Sequence, residues 1–444
     1  MFAMGIDIGT TSISLVLLDE NTGALIARAT VNHAAFIDDG CPVGKVQDAG
    51  TIIGIVMEKY EALIAAHGQP CCIGLTGQMH GMLYVDRDGE AVSPLYTWQD
   101  GRGNLPMKDG QTYAQHLKQY GAAASGFGLT THFYMKQNGL VPERAASMTT
   151  ISDYLAMKLT GRTRPVLGAD MAASWGCFDL ENKAFRVDDP LLPDLVKGYE
   201  IIGETPAGVP VMVSAGDNQA SVLGAVKDLG ATALINIGTG SQISLGCGRF
   251  LDSGGAIELR PCGGDGYILA GSGLCGGRAY AMLEQFYREA AGFDTPCYDR
   301  MLAQATAYVD QYGLDAAWKV RTTFSGTRSD PTARGGIEGI GVDNFRPGAF
   351  TAGLIAGIVG ELHGHYLKMV DMAGQKATVL VGSGNGLRRN PLMRQIAEGL
   401  FGLALQIPAH MEEAAYGAAL CALAASGRVK NLGEAQRMIR YIGE

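Results

Sequence analysis

The chain has 444 residues, a formal charge of −9, 47% hydrophobic positions and 18% charged ones. That balance excludes an intrinsically disordered chain and argues against a nucleic-acid-binding surface. The length exceeds one ordinary core, so two domains are expected.

The opening, MFAMGIDIGTTS, lacks a basic leader region and does not read as a signal peptide. No apolar run is long enough to span a membrane, so a cytoplasmic protein is expected. Nine cysteines, without C-x-x-C spacing, indicate neither a zinc site nor a disulfide framework. They read as small core residues.

In chain order, residues 3–18 predict strand, glycine turn and strand, and 24–31 a further strand. Apolar residues at helical spacing (Ile52, Ile55, Val56, Tyr60, Leu63, Ile64) predict a helix over 51–67, ended by Gly68. CCIGLTGQ then reads as a buried strand running into a loop. The second half starts over. A strand at 233–237, a turn at 238–241 and a strand at 242–245 precede strands at 256–261 and 267–270 and a helix near 277–291. A long helix over 350–372, a strand at 377–381, a glycine loop at 382–386 and a helix at 391–401 follow. A strand at 403–407 and a small-residue helix at 413–425 close the pattern. The segment from Leu105 to about Pro210 has no counterpart and reads as an insertion. VKDLG at 226–230 interrupts the apolar pattern, so the expected domains are 1–226 and 227–444. Two such halves facing each other would form a cleft, a favoured place for a ligand.

Each half opens on a glycine turn suited to an anion. In Asp7-Ile8-Gly9-Thr10-Thr11-Ser12, Gly9 admits close backbone approach and Thr10, Thr11 and Ser12 add hydroxyl donors. Asp7 could orient Mg2+ through water. Gly238-Thr239-Gly240-Ser241 repeats the chemistry. Either turn taken singly could be only a hairpin; two in matching positions could hold the phosphates of one nucleotide. Neither fits the P-loop or the Rossmann fingerprint. The third loop, Gly382-Ser383-Gly384-Asn385-Gly386, could pack against a nucleobase or ribose, or merely join strand to helix.

Asp217 follows an apolar run and precedes a helix. Its carboxylate could take a proton from a substrate hydroxyl, or could simply cap the helix. GQMHG (77–81) and WQDGR (98–102) combine polar groups with apolar faces, as a sugar site requires. His80 could equally be structural, and Trp98 a core aromatic.

These motifs, in this order, resemble the FGGY carbohydrate kinases. DIGTTS is similar to that family's first phosphate motif, TGQMHG and YTWQDGRG to its sugar-contacting segments, and LTG at 159–161 to a triplet of the family. AGDNQASVLGA resembles the segment with the catalytic aspartate, and INIGTGS the second phosphate motif. LVGSGNGLRRNPLMRQIAEGLFG with EEAAYGAALCA resembles the adenosine-binding signature. TFSGTRSDPTARGGIEGI (323–340) and the GSGNGLRRNP loop most resemble sedoheptulokinase-like members, with xylulokinases next.

The resemblance implies an α/β fold of two actin-like (ribonuclease-H-like) domains flanking a central cleft, the first binding sugar and the second nucleotide. It implies ATP and Mg2+ as cofactors, a small sugar as substrate, and a homodimer at the family level; it implies neither nucleic acid nor membrane as partner. Asp217 would be the general base, and Gln78, Met79, His80, Trp98, Asp100, Arg102 and Asn218 would line the sugar pocket. Thr10, Thr11, Ser12, Gly238, Thr239 and Gly240 would surround the phosphates. Gly382, Ser383, Gly384, Asn385 and Asn390 would meet the adenosine, and Asp7 would help place Mg2+. Two positions depart from the pattern. Ser14 stands where the family often has a basic residue, and the stretch after Arg102 is short, with HFYMKQNG in place of the usual Trp-Lys segment. The rival of another class is an actin- or chaperone-like ATPase that needs no sugar pocket. A further rival is a sugar sensor without catalysis.

Overall fold

The computed structural model describes every residue except 328, 329 and 331, so part of the 323–340 motif lies outside the described residues. The chain divides into two compact units. The first holds Met1–Lys227, Arg260–Tyr267 and Glu412–Ile439; the second holds Asp228–Leu259, Ile268–Met411 and Arg440–Glu444. The long first segment ends one residue beyond the expected boundary at 226. Two later segments, 260–267 and 412–439, nonetheless pack with the first unit.

In the first unit, β1 (Phe2–Ile8), β2 (Ser12–Asp19) and β3 (Leu25–Asn32) form an antiparallel meander. Helix α1 (Ala49–His67) leads to β4 (Cys72–Gly77), which pairs parallel to β1. Asp48 caps α1, accepting from Thr51 N at 2.6 Å. Helix α2 (Ile151–Thr160) follows, then β5 (Ile201–Glu204), β6 (Pro210–Met212) and β7 (Ala215–Gly216). The sheet order is β5-β6-β4-β1-β2-β3, with β7 also on β4. Met4, Ile6 and Ile8 of β1 join Ile52 and Val56 of α1 and Leu155 of α2 in one fully buried core. The stretch expected to be an insertion builds a second core around Trp175, Tyr84, Met148 and Met171. Helix α3 (Asp217–Ala225) closes the segment.

In the second unit, β8 (Thr232–Ile237) and β9 (Ser241–Cys247) form the matching hairpin. Then come β10 (Ile257–Pro261) and β11 (Tyr267–Gly273), whose residues 260, 261 and 267 count with the first unit, and α4 (Gly277–Ala291), α5 (Tyr298–Tyr312) and α6 (Pro347–Ala373). Strand β12 (Val379–Ser383) lies parallel to β8. It runs directly into α7 (Gly384–Arg389), followed by α8 (Pro391–Phe401) and β13 (Leu405–Gln406). The sheet order, β10-β11-β9-β8-β12-β13, sets an antiparallel hairpin beside a parallel crossover, as in the first unit. The glycines of 382–386 were expected to form a loop; they instead end a strand and start a helix. Gly384 makes this turn possible: its φ is +82°, and a Cβ there would stand 2.6 Å from Ile237 O.

The last helix, α9 (Glu413–Ala425), belongs to the first unit and lies on the sheet face opposite α1. It sits closer than any side chain would permit. A Cβ on Gly5 would meet Ala415 O at 1.8 Å, and one on Gly74 would meet Ala418 O at 1.9 Å. Against α3 the approach is equally tight: a Cβ on Gly417 would fall 1.9 Å from Ala220 O, and one on Gly224 would fall 2.1 Å from Glu413 O. The small residues of EAAYGAALCALAA therefore serve geometry rather than helix propensity. They wedge α9 between β1, β4 and α3, and so bring the starts of both helices to the ends of both strands.

Candidate active site

At the end of β1, Asp7 pairs in register with Ser14 on β2 and Thr76 on β4, and Ser14 pairs with Thr30 on β3. Register partners share a face. Two residues earlier, on the same face, lie Gly5 and Gly74, on which α9 rests. The polar row Thr30-Ser14-Asp7-Thr76 therefore sits at the start of α9, where Glu412 precedes the helix. Ser14 Oγ donates to Glu412 Oε2 at 3.0 Å, and Thr30 Oγ1 donates to Oε1 at 3.2 Å. Ser14, noted above as a departure, thus places a carboxylate where a basic side chain was expected.

Asp7 Oδ1 is buried without a hydrogen-bond partner among the described residues. Burial first, then the charges of Asp217 and Glu412, push the Asp7 carboxyl up to about 7. A buried carboxylate oxygen with no protein donor fits a hydrated Mg2+, which needs few protein ligands and keeps its waters. Among the described residues, no group of three or more His, Cys, Asp or Glu side chains is arranged to hold a metal unaided.

Asp217 is the first residue of α3. The cap position is Gly216, and no side chain makes a capping bond there, so Asp217 is not the N-cap. Burial raises its carboxyl above the usual range, opposed by the Asn218 N–H and by the charge of Arg260. Two buried carboxylates that the sequence reading missed hold the approach to it. Asp153 accepts from Ser214 N at 3.0 Å, and Asp170 accepts from Gly216 N at 2.9 Å. Burial lifts these carboxyls to about 7 and about 6. They fix residues 214–216, and with them the direction in which Asp217 leaves the sheet. Their signal lay in ISDYL and GADMA, where an acidic residue interrupts an apolar run.

The expected sugar residues divide into two groups. Gln78 and Trp98 converge on the first glycine turn. Trp98 Nε1 donates to Thr10 Oγ1 at 3.0 Å, Gln78 Nε2 donates to Gln47 Oε1 at 3.0 Å, and Gln47 Nε2 donates to Thr10 O at 2.7 Å. Trp98 keeps 47% of its surface exposed, a platform rather than a core aromatic. Met79 is buried and lies against Gly216. The other group is held by structural partners. His80, at φ +71°, donates its backbone N–H to Ser174 Oγ and stacks on Phe127 at 4.4 Å. Asp100 and Arg102 are buried in an ion pair with each other, and Arg102 also pairs with Asp39. Asn218 Oδ1 accepts from Arg260 at 2.8 Å. In the turn itself, Gly9 N donates to Ser12 O at 2.9 Å, while Thr11 is exposed.

In the second unit, the turn after β8 is stitched to the start of α4. Gly277 N donates to Gly238 O at 2.8 Å, and Arg278 N donates to Thr239 O at 2.9 Å. Beside it opens a cavity of about 760 Å3, whose walls include Gly238, Thr239, Tyr298, Asn385, Gly386 and Asn390. Tyr280 and Tyr298, also in its wall, stack with centroids 5.8 Å apart. This aromatic side of the cavity was not legible in the sequence. Asn390 also caps α8, accepting from Met393 N at 2.9 Å. Gly240, Gly382, Ser383 and Gly384 stand outside the cavity wall and support it: Ser383 Oγ accepts from Asn236 Nδ2 at 2.8 Å.

The family profile of the FGGY carbohydrate kinases matches this chain twice: its N-terminal domain over residues 2–224 and its C-terminal domain over 257–426. The chain belongs to the FGGY family of carbohydrate kinases. This FGGY kinase is 29% identical to sedoheptulokinase of Mus musculus, over 95% of its own length and 97% of the relative's. It is 26% identical to glycerol kinase of Rhodospirillum rubrum, over 95% and 89% of the two chains. Among solved structures, xylulose kinase from Rhodospirillum rubrum superposes with a TM-score of 0.86 at 20% identity, covering 100% of this chain and 93% of that one. Glycerol kinase of Plasmodium falciparum with ADP gives 0.79 at 17% identity, covering 98% and 92%. The fold is therefore the two-domain actin-like fold. The FGGY kinase is an enzyme that phosphorylates a sugar at the expense of ATP. Among the described residues, no helix is long and apolar enough to cross a membrane.

Proposed function

We propose that this kinase transfers the γ-phosphoryl group of ATP to a terminal hydroxyl of a seven-carbon ketose, sedoheptulose, with Asp217 as general base. The observation that carries the catalytic part is the position of Asp217. It begins a helix without capping it, its carboxylate is strained toward the neutral form by burial, and Asp7 lies within electrostatic reach. The sugar rests on the likeness to sedoheptulokinase across nearly the whole of both chains. Xylulose is the second reading, supported by xylulose kinase of Staphylococcus epidermidis, 24% identical over 97% of this chain.

In this scheme Asp217 accepts the proton of the attacking hydroxyl while its oxygen bonds to γ-phosphorus and the bond to the β-phosphate oxygen breaks. Gln78 and Trp98 hold Thr10 and present the first turn to the sugar and phosphates. The second turn, with Thr239, and the cavity with Tyr280 and Tyr298 take the nucleotide. Asp7 would hold Mg2+ through water, and the ion would supply charge neutralisation of the phosphates. A cytoplasmic enzyme fits a reaction that consumes ATP.

The test is ATP consumption over ketoses and polyols of five to seven carbons, with the wild type and with Asp217→Asn. The expected result is the highest kcat/KM for sedoheptulose, and loss of turnover with ATP binding retained in the variant. Near-normal turnover in Asp217→Asn would refute the base. ATP hydrolysis at the same rate without any sugar would favour the ATPase reading instead.

A further inference from the structure

We propose that Arg260 is a positioning residue of the sugar site: it takes up Oδ1 of Asn218, leaves the amide N–H groups to the substrate, and sets a positive charge against Asp217. The proposal rests on the reading of Asp217 as the base.

Arg260 lies at the end of β10, in the short 260–267 segment that packs with the first unit. That segment is fastened at several points. Gln219 Nε2 donates to Pro261 O at 3.1 Å, and Tyr267 OH donates to Leu180 O at 2.9 Å. The buried Lys183 donates to Gly264 O and stands over the Tyr267 ring at 5.4 Å. Two consecutive residues of α3, Asn218 and Gln219, thus grip two consecutive residues of the segment, Arg260 and Pro261. The clasp begins one residue after the proposed base, so the Arg260 backbone is anchored beside the start of α3 and its guanidinium is held there by Asn218.

Two consequences follow for the chemistry. An amide whose oxygen accepts from a guanidinium has its flip fixed, since the reversed amide would aim N–H groups at a cation. Asn218 then offers only donors to a ligand, and so favours a hydroxyl or carbonyl oxygen as its partner. The charge balance is the second consequence. Asp7, Glu412, Asp170 and Asp153 all lie on elements packed around the start of α3, and a triphosphate would add further negative charge. Arg260 is a cation whose charge acts on Asp217. It keeps a buried carboxylate usable as a base among acidic neighbours.

The experiment compares full-length wild type with Arg260→Met, Arg260→Lys, Asn218→Ala and the Arg260→Met/Asn218→Ala double variant. KM and kcat are measured for sedoheptulose and D-xylulose, KM for ATP, and sugar binding without ATP, with thermal melting as a check on folding. Arg260→Met is expected to raise sugar KM about tenfold and lower kcat, the scale of a lost charge-assisted hydrogen bond, with ATP KM within twofold. In the Asn218→Ala background the same change should cost much less, and Arg260→Lys should recover part of the loss. Equal cost in both backgrounds, or an effect confined to ATP KM, would overturn the proposal. If Arg260→Met fails to fold, the lysine variant carries the test: wild-type sugar KM with an Asn218→Ala effect unchanged from wild type also overturns it. Failure of the base reading is seen separately, as turnover in Asp217→Asn, because sugar binding without ATP does not depend on proton transfer.

Discussion

The two units open on the same hairpin, yet one residue separates their chemistry. In the first, β1 ends Asp7-Ile8-Gly9-Thr10; in the second, β8 ends Asn236-Ile237-Gly238-Thr239. Each polar residue faces a hydroxyl on the neighbouring parallel strand, Thr76 for Asp7 and Ser383 for Asn236. The amide finds its partner: Asn236 Nδ2 donates to Ser383 Oγ at 2.8 Å. The carboxylate does not: Asp7 Oδ1 and Thr76 Oγ1 are both buried without hydrogen-bond partners among the described residues. The same backbone therefore gives a satisfied structural pair in one unit and an unsatisfied, charged pair in the other. Buried polar groups are normally bonded, so the unsatisfied pair marks where a ligand is needed. In the proposed scheme the first turn serves the reaction and the second the grip.

The largest expected effect comes from the reactive side. Asp217→Asn should lower kcat by about 10^3-fold or more, within the usual range for a lost general base, and leave ATP KM nearly unchanged. A loss confined to ATP KM would reverse the roles of the two turns. Asp7→Asn makes the first hairpin resemble the second. It should lower kcat by about 10^2-fold, the scale of removing one electrostatic contact at a phosphoryl-transfer site, and raise the Mg2+ concentration needed for half-maximal rate. Unchanged Mg2+ dependence would remove Asp7 from the metal. On the gripping side, Tyr298→Ala should raise ATP KM about tenfold, as expected for one lost stacking contact, with sugar KM unaffected. An effect on the sugar instead would empty the cavity of its assigned occupant.

The smallest effect concerns stability. The Asp7 carboxyl is raised from 3.8 to about 7 in the fold. The native state then binds more protons than the unfolded chain between those values. Its contribution is full below about pH 4 and is lost as pH rises through about 7. Asp7→Asn should therefore match the wild type in melting temperature at pH 4 and exceed it by several degrees at pH 7.5, because the amide carries no proton-linked penalty. A constant offset across pH would show that burial of Asp7 is not what the fold resists.

The sequence made the local parts of this site legible. Strand, Gly-Thr turn and strand announce themselves within a dozen residues, and Asp217 stands out between an apolar run and a helix. Glu412 was not legible as a site residue. It reaches Ser14 from 398 positions away, through packing permitted by Gly5, Gly74, Gly224 and Gly417. Each of those glycines reads locally as an unremarkable small residue. Asp100 and Arg102 hold a contact that the sequence did not disclose. Their motif suited a sugar, but nothing in WQDGR discloses that the two charges neutralise each other. The aromatic wall of the cavity escaped for a similar reason, because Tyr280 and Tyr298 belong to different helices.

The wedge formed by α9 also bears on how the enzyme comes into being on the ribosome. The helix carrying Asp217 is synthesised well before the segment that must seat against it. Until residues 412–425 have emerged, Gly5, Gly74 and Gly224 face an empty slot, and Glu412 and the clustered carboxylates are not assembled. A chain already complete through the cavity wall at Met393 still lacks this seat, so the start of α3 acquires its full acidic surroundings only when the last segment docks.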